Sequence, residues 1–247
     1  MHQINDICKN QFTNVNGFQC TLLTPHYSKD EKRWIYSTQM KSQKAPSAQI
    51  HHDGSDHWVM SFQSKSGKIY LLDSLYNNKI SASVQIQLCK IYGKDKTSIT
   101  VNIPLLHRQQ EGSLACGVYA IGYIVEFCLN GFEELDKKCY KEERWNFHVD
   151  ECRELIIDCL QTKKMSKFPY NVTSFEKEMP IQFETYKIEL NCDVCDLPNF
   201  FDDMVGCDRC HKWFHQNCIN NMYDGKQPTW LCEKCQHKRP RRVPNKD

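Results

Sequence analysis

The sequence predicts an α+β domain followed by a small metal-bound module, and two observations lead to this prediction. Between residues 57 and 160, apolar positions recur with the two-residue period of strands in some segments and with the helical period in others. Seven of the 15 cysteines then fall between Cys192 and Cys235, mostly in closely spaced pairs that are typical of metal ligands. With 247 residues, the chain has room for one domain of ordinary size and one small domain.

Composition, charge and the lack of long apolar runs argue against a secreted or membrane-spanning protein. Apolar residues make up 40% and charged residues 25% of the chain, as expected of a soluble globular protein, and the net charge of +2 indicates no particular partner. The N-terminal residues have no basic region followed by an apolar run, and no stretch of 18 uncharged apolar residues occurs. We therefore expect an intracellular protein with neither signal peptide nor membrane span, whose cysteines outside the metal cluster are reduced.

The individual elements follow from periodicity and from turn residues. Residues 1–50 are expected to form a leading helix or loop, a short buried run and a surface loop. Two strands joined by a turn at Ser66-Gly67 are predicted from the patterns of residues 57–63 and 68–75. The remaining predictions are a helix over 80–91, a strand over 99–105, a helix from Cys116 to Asn130 and a helix over 142–160.

Cys116 stands where a polar, glycine-containing segment runs into the start of an apolar helix, in the stretch RQQEGSLACGVY. Unpaired backbone N–H groups and the positive end of the helix dipole favour thiolate over thiol at such a position. The alternative is a small buried core residue, because the chain has many cysteines.

Three other residues could complete a nucleophilic site. Catalysis by a cysteine requires an imidazole base, a group that orients the base and a donor for the oxyanion. His57 opens the first predicted strand and Asp73 lies near the end of the second, so a hairpin would bring both to one edge of the sheet. Gln110 lies six residues before Cys116. The alternatives are a surface or core histidine at position 57 and a turn-forming aspartate at position 73.

The dipeptide HW at residue 57, the tripeptide DSL at residue 73 and the stretch QQEGSLACGVY together resemble the ubiquitin-like-protein proteases, the SUMO and NEDD8 isopeptidase family. The resemblance covers about residues 10–162. It implies a papain-like cysteine protease fold for a domain spanning residues 1–162. The resemblance implies that His57 is the general base, Asp73 the orienting acid, Gln110 the oxyanion donor and Cys116 the nucleophile. It also implies that Trp58 covers the channel that holds the substrate's Gly-Gly terminus.

Two features depart from the pattern of this family. The family usually has Asp immediately before the nucleophile, where this chain has Ala115. Family members commonly begin with a Trp-Leu-Asn-Asp segment, of which only Ile4-Asn5-Asp6 is matched here. Trp58 also has an alternative role as an aromatic residue packed on the sheet. These features concern the substrate channel, and they leave open a domain of this family without activity.

Residues 163–190 are polar, contain two prolines and show no sustained period, so we predict an interdomain linker. A segment from residue 191 to residue 236 then supplies eight metal ligands, enough to close two tetrahedral zinc sites with no open position. The ligands are Cys192, Cys195, Cys207, Cys210, His215, Cys218, Cys232 and Cys235.

The order of these ligands indicates a subtype. The histidine is the fifth ligand along the chain, whereas it is usually the fourth in RING fingers, and it follows Trp213-Phe214. This arrangement resembles a plant-homeodomain (PHD) finger. The resemblance implies binding to the unmodified or methylated tail of histone H3. It also implies a cross-brace with Cys192, Cys195, His215 and Cys218 on one zinc ion and Cys207, Cys210, Cys232 and Cys235 on the other.

Three residues match peptide-binding positions of PHD fingers that read methyl-lysine. Trp213 matches the cage tryptophan, whose ring face attracts a quaternary ammonium, and Met204 matches a second cage position. Asp208 matches an acidic residue that pairs with a peptide arginine. Trp213 is also found in fingers that bind no methyl-lysine. Residues 190–236 contain seven acidic and four basic residues, which suits a basic peptide better than DNA.

Residues 237–247 form a basic tail, which is a nuclear-import signal, a nonspecific phosphate contact or a solvated end. We expect a nuclear thiol isopeptidase that removes a ubiquitin-like modifier from target proteins and is recruited to chromatin by its PHD finger. One alternative is a chromatin-binding reader protein whose protease-like domain is catalytically inactive. A more remote alternative makes the finger a ubiquitin-ligase module.

Overall fold

The computed structural model describes the chain as two compact units. The first unit comprises Met1–His26 and Ile35–Ile188, and the second comprises Tyr27–Trp34 and Glu189–Asp247. Two predicted site residues, Gln110 and Cys195, lie outside the described residues, as does the basic tail beyond residue 237. The described residues are 1–23, 26–28, 33–35, 40–54, 56–93, 98–104, 109, 113–130, 146–171, 182–194, 204–210, 212–219 and 230–237.

A mixed six-stranded sheet forms the centre of the first unit. Its strands are β1 (Asn16–Gly17), β4 (Ser47–His52), β5 (Trp58–Gln63), β6 (Ile69–Leu72), β7 (Ser98–Pro104) and β8 (Phe183–Glu189), in the order β1-β4-β5-β6-β7-β8. Strand β5 is antiparallel to both β4 and β6, whereas β1 runs parallel to β4 and β7 runs parallel to β6. Two further strands, β2 (His26–Ser28) and β3 (Arg33–Ile35), form a separate two-stranded sheet.

Within the described residues, four helices accompany the six-stranded sheet: α1 (His2–Gln11), α2 (Ala82–Tyr92), α3 (Cys116–Asn130) and α4 (Val149–Thr162). Helix α2 begins after Ser81, whose hydroxyl accepts a hydrogen bond from the N–H of Val84 at 3.3 Å. Helix α3 is apolar and packs on β5, where the ring of Phe127 lies 4.7 Å from that of Phe62. It is held close to Phe147 by Gly122, since a Cβ there would lie only 2.6 Å from the Phe147 ring.

The predicted α+β organisation is confirmed in its main elements. Strands β5 and β6 form the predicted antiparallel pair, with its turn at Ser66-Gly67, and α2, β7 and α3 lie where the periodicity placed them. The prediction of a helix from residue 142 is wrong at residues 146–148. Phe147 instead makes a β-bridge with Tyr170, and α4 begins only after His148. A β-bridge requires extended backbone, which is incompatible with continuing the helix toward the N-terminus.

The segment predicted as a linker, residues 163–190, differs most from expectation, because its described part belongs to the first unit up to Ile188. Met165 and Phe168 are only 2% exposed and lie in the same core as α3 and α4. Strand β8 joins the edge of the sheet beside β7. The apolar residues of this segment are spaced irregularly, so the sequence shows no period although the segment completes the domain.

The second unit contains a small hairpin of β9 (Met204–Gly206) and β10 (Trp213–His215) and the short helix α5 (Glu233–Gln236). Its core is small and includes Phe214 and Trp230, whose ring centroids lie 5.3 Å apart. Among the residues that the structure describes, no helix is long and apolar enough to cross a membrane.

Candidate functional sites

His57 and Asp73 are brought together by the β5–β6 hairpin. His57 precedes the first residue of β5 and Asp73 follows the last residue of β6, so the antiparallel pairing places them at the same end of the two strands. The Nε2 atom of His57 lies 2.7 Å from Oδ1 of Asp73, and their side chains are 18% and 12% exposed. An ionised carboxylate only accepts hydrogen bonds, so this contact assigns the Nε2 proton to His57. The same Oδ1 atom accepts the N–H of Leu75 at 2.8 Å.

Cys116 is the first residue of α3 and is partly buried beside His57. The His57 side chain interacts with this thiol and lowers its pKa. Because Nε2 of His57 is bound to Asp73, Nδ1 is the ring nitrogen left for an interaction with Sγ. The backbone N–H groups of Trp58 and Gly117 also lower the pKa of Cys116. As a thiol, Cys116 points its S–H toward the carbonyl oxygen of Asp56, with a sulfur–oxygen distance of 3.8 Å.

These contacts change the pKa values of His57 and Cys116 in the directions that favour an ion pair between them. Burial lowers the pKa of His57, but its hydrogen bonds to Asp73 and Cys116 outweigh burial and raise that pKa to about 10. Burial raises the pKa of Cys116, but the hydrogen bond from His57 and the backbone N–H of Trp58 outweigh it and lower that pKa below 9.0. The two shifts describe the same interaction, which favours a thiolate beside an imidazolium. Such a thiolate is a nucleophile, and the imidazolium can return a proton to a leaving group.

Trp58 and Met1 lie beside Gly117, the residue that follows Cys116. A Cβ built on Gly117 would lie 3.1 Å from Cε of Met1 and 3.9 Å from Cδ1 of Trp58. The Trp58 ring is partly buried and packs against His52, with centroids 4.5 Å apart. Trp58 thus lies near Gly117 and packs against His52 of β4, and its role in a substrate channel stays a prediction. Ala115, which replaces the aspartate usual in the resembling family, is 2% exposed and belongs to the core.

The predicted oxyanion donor Gln110 lies outside the described residues, but its neighbour Gln109 has a defined and buried position. Gln109 is 4% exposed, and its side chain accepts the Ser74 hydroxyl at 2.7 Å and donates to the carbonyl of Ser113 at 2.9 Å. The sequence reasoning missed this residue because two adjacent glutamines cannot be told apart by residue type. The signal that could have found it is strand β7, which runs parallel to β6 and therefore ends on the same side of the sheet as Asp73.

Four cysteines of the second unit form one cluster, in which every Sγ atom lies within 4.8 Å of the others. Thiolates bound tetrahedrally to one zinc ion lie about 3.8 Å apart, given zinc–sulfur bonds of about 2.3 Å. The sulfur atoms of Cys210 and Cys232 are 3.7 Å apart, which fits this geometry. Sγ of Cys207 accepts the N–H of Cys232 at 3.3 Å, a contact that favours the thiolate form of a ligand. The cluster comprises Cys207, Cys210, Cys232 and Cys235.

A second cluster brings together Cys192, His215 and Cys218. The Nδ1 atom of His215 lies 3.8 Å from Sγ of Cys218, so Nδ1 is the ring atom turned toward the cluster. The N–H of His215 donates to Sγ of Cys192 at 3.4 Å. The predicted fourth ligand, Cys195, lies outside the described residues. The two clusters divide the described ligands as the cross-brace pairing predicts, and both donor sets suit zinc.

Of the three predicted peptide-binding residues, Met204 and Trp213 are buried and Asp208 is exposed. In the β9–β10 pair, Trp213 lies opposite Gly206 and His215 opposite Met204, so Trp213 and Met204 project from the same face. Both side chains are 2% exposed, so neither offers a ring face or thioether to solvent in this conformation. Asp208 is exposed, and its Oδ2 accepts the backbone N–H of Trp230. This bond connects the Cys207–Cys210 turn with the chain that leads to Cys232.

Comparisons with known proteins find relatives that match parts of the chain. The chain is 35% identical over 49 residues to Transcription initiation factor TFIID subunit 3 from Xenopus laevis, and this match covers 19% of the chain and 6% of the relative. It is 27% identical over 130 residues to Zinc finger protein DPF3 from Gallus gallus, which covers 52% of the chain and 28% of the relative. The chain thus spans less than a third of each relative's length, and no solved structure matches it.

The family model for the PHD-finger matches residues 192–235, the span that contains both cysteine clusters. The matched segment begins at the first predicted ligand and ends at the last. Geometry, ligand order and family match therefore agree that residues 192–235 are a zinc-binding PHD finger.

Proposed function

We propose that the PHD finger binds the N-terminal tail of histone H3 and so places this chain on chromatin in the nucleus. The observation that carries the proposal is the match of residues 192–235 to the PHD-finger model. One similar protein is by name a transcription initiation factor subunit, which agrees with a nuclear role. The excess of acidic over basic residues in residues 190–236 favours a basic peptide partner.

Two zinc ions hold this finger in the proposed state, one in each cysteine cluster. The small core around Phe214 and Trp230 supplies little hydrophobic free energy, so metal binding, worth about 10 to 16 kcal/mol in zinc-finger peptides, provides most of the folding free energy. Met204 and Trp213 are the proposed walls of a methyl-lysine cage, which requires the Trp213 ring face to become accessible when the peptide binds. Asp208, which is already exposed, is the proposed partner of a peptide arginine.

Calorimetric titration of the full chain with H3-tail peptides tests this proposal. The peptides are unmodified or carry one, two or three methyl groups on a lysine. We expect binding that Asp208→Asn weakens and that a chelator abolishes. Glu233→Gln, which removes a carboxylate at the start of α5, is the matched charge control. Absence of binding to every one of these peptides by the zinc-loaded chain would contradict the proposal.

A second function is favoured by the arrangement of His57, Asp73 and Cys116. We infer that the first unit is a cysteine peptidase domain of papain-like fold that cleaves a ubiquitin-like protein from lysine side chains. The support is the 2.7 Å hydrogen bond between His57 and Asp73, the interaction by which His57 lowers the pKa of Cys116, and the position of Cys116 at a helix N-terminus. This chain of contacts combines three residues that the sequence separates by up to 59 positions.

Each of these residues has a defined part in the proposed reaction. The Cys116 thiolate attacks the carbonyl carbon of the isopeptide bond, and backbone N–H groups near the helix N-terminus, together with Gln110, stabilise the oxyanion. His57 gives its Nδ1 proton to the departing lysine amine, so that a thioester to the ubiquitin-like protein remains. His57 then accepts a proton from water, whose oxygen attacks the thioester and releases the thiolate. Asp73 fixes the ring orientation and stabilises the imidazolium throughout.

Hydrolysis of fluorogenic amides at the C-terminus of SUMO, NEDD8 and ubiquitin tests this second proposal. We expect turnover of at least one substrate, which Cys116→Ala abolishes. Cys20→Ala is the control for loss of an ordinary thiol, because Cys20 is partly exposed and belongs to neither cysteine cluster. No turnover of any substrate by the folded chain would favour the alternative, a reader protein whose protease-like domain is inactive.

A further inference from the structure

Gln109 connects the segment that carries the proposed orienting acid with the segment that carries the proposed nucleophile. We propose that Gln109 is a positioning residue for the site formed by His57, Asp73 and Cys116. This inference rests on the proposed peptidase function of the first unit, and it concerns a residue that contacts neither substrate nor the reacting atoms.

Three hydrogen bonds define the connection. The backbone N–H of Gln109 donates to the carbonyl oxygen of Ser74 at 3.1 Å. The hydroxyl of Ser74 donates to Oε1 of Gln109 at 2.7 Å, so residue 74 is held through both its backbone and its side chain. The Nε2 group of Gln109 donates to the carbonyl oxygen of Ser113 at 2.9 Å, three residues before Cys116. One glutamine therefore uses its donor and its acceptor to join two loops that are 39 residues apart.

Because Gln109 and Ser74 are buried, the positions of the two loops depend strongly on these hydrogen bonds. Gln109 is 4% exposed and Ser74 is 2% exposed, so water cannot easily replace either partner. Removal of one partner leaves a buried donor or acceptor unsatisfied, which generally costs more than the net gain from forming the bond. The loops therefore have little freedom to relax around an altered Gln109, and a displaced side chain changes the positions of both loops.

The path from Gln109 to the thiolate is short. Ser74 lies between Asp73 and Leu75, and the N–H of Leu75 and Nε2 of His57 share the same carboxylate oxygen. A shift of Ser74 thus moves the carboxylate that orients His57, and His57 is the largest favourable influence on the pKa of Cys116. A merely structural glutamine would lower stability without changing the acidity of Cys116.

The test is the pH profile of Cys116 alkylation by iodoacetamide, measured on the full chain by peptide mass spectrometry. We expect Gln109→Ala to move the profile toward that of an ordinary thiol and to lower the rate at pH 7 by about tenfold. Ser74→Ala, a smaller change, should move the profile in the same direction, and Ser74→Thr, which keeps the hydroxyl, should restore it. The double variant Ser74→Ala/Gln109→Ala should show no more than the effect of Gln109→Ala, because both act on one connection.

Gln85→Ala is the matched control. Gln85 is also a buried glutamine, 2% exposed, and its Nε2 donates to the carbonyl of Ile80 at 2.8 Å in a different part of the domain. It should lower thermal stability without moving the Cys116 profile. If alkylation of the unsubstituted chain gives a Cys116 pKa below 9.0, and neither Gln109→Ala nor Ser74→Ala changes that pKa, the positioning inference is overturned and the proposed peptidase survives. If the unsubstituted chain already titrates at 9.0, the proposed peptidase loses its support.

Discussion

Replacement of His57 by alanine should convert Cys116 from a reactive thiolate into an ordinary thiol. The His57 hydrogen bond is the largest of the contacts that lower the pKa of Cys116, and burial alone raises it. The unsubstituted protein should therefore keep a reactive thiolate at pH values below 9.0, and reactivity should fall as the pH falls through the lowered pKa. The imidazolium should persist until the pH rises through about 10, the raised pKa of His57.

The magnitude follows from the ionised fractions. A thiol with a pKa of 9.0 is about 1% ionised at pH 7, so a fully ionised Cys116 in the unsubstituted protein would carry about 100 times more thiolate than the variant. A thiolate of lower pKa is intrinsically less nucleophilic, with a Brønsted slope of about 0.4 to 0.5, which removes part of this difference. We therefore expect His57→Ala to slow alkylation at pH 7 by about 10- to 100-fold.

The assay measures the rate at which iodoacetamide labels the peptide containing Cys116, at pH values from 5 to about 10. Separate peptides report the other cysteines, and the peptide containing Cys20 serves as an internal reference. His52→Ala is the matched control, since His52 precedes the same loop and packs on Trp58 without touching Cys116 in any observed contact. Equal rates for the unsubstituted chain and His57→Ala across the whole pH range would refute the ion-pair reasoning.

Three further predictions concern stability. Gly122→Ala should destabilise the first unit by about 1 to 3 kcal/mol, seen as a lower Tm in calorimetry, because the new Cβ would lie 2.6 Å from the Phe147 ring; an unchanged Tm would contradict this packing. Chelation of metal should unfold residues 192–235, because both cysteine clusters lie in the second unit, while the first unit keeps its hydrogen-exchange protection. Protection of the finger in excess chelator would argue against structural zinc. A chain truncated after residue 162 should fail to fold cooperatively, whereas one that ends at residue 190 should fold, because Met165, Phe168 and β8 complete the domain; equal stability of the two would restore the linker prediction.

The parts of the site that the sequence predicted are those encoded locally. The alternating pattern and the turn at Ser66-Gly67 define a hairpin, and a hairpin necessarily brings the start of one strand near the end of the next. The position of Cys116 at a helix start follows in the same way, from the change between a polar loop and an apolar run. Ligand spacing around the zinc clusters is also local, since the paired cysteines are separated by only two residues.

What the sequence could not show depends on contacts between distant segments. The role of Gln109 depends on Ser74, which lies 35 residues away, and no local pattern marks either residue. Residues 163–190 have no period, because loops can bury Met165 and Phe168 without regular secondary structure. The burial of Trp213 is a tertiary property as well, because residue type alone predicts equally a cage wall and a core aromatic residue.

The most direct test of the proposed site is labelling of the full chain by SUMO, NEDD8 and ubiquitin that carry an electrophilic C-terminus, followed by intact-mass and peptide analysis. The proposed geometry predicts one covalent adduct with at least one of the three proteins, located on Cys116, absent from Cys116→Ala and strongly reduced in His57→Ala. A folded chain whose Cys116 reacts rapidly with iodoacetamide but forms no adduct with any of the three would contradict the isopeptidase function. It would leave the PHD finger as the functional part of this protein.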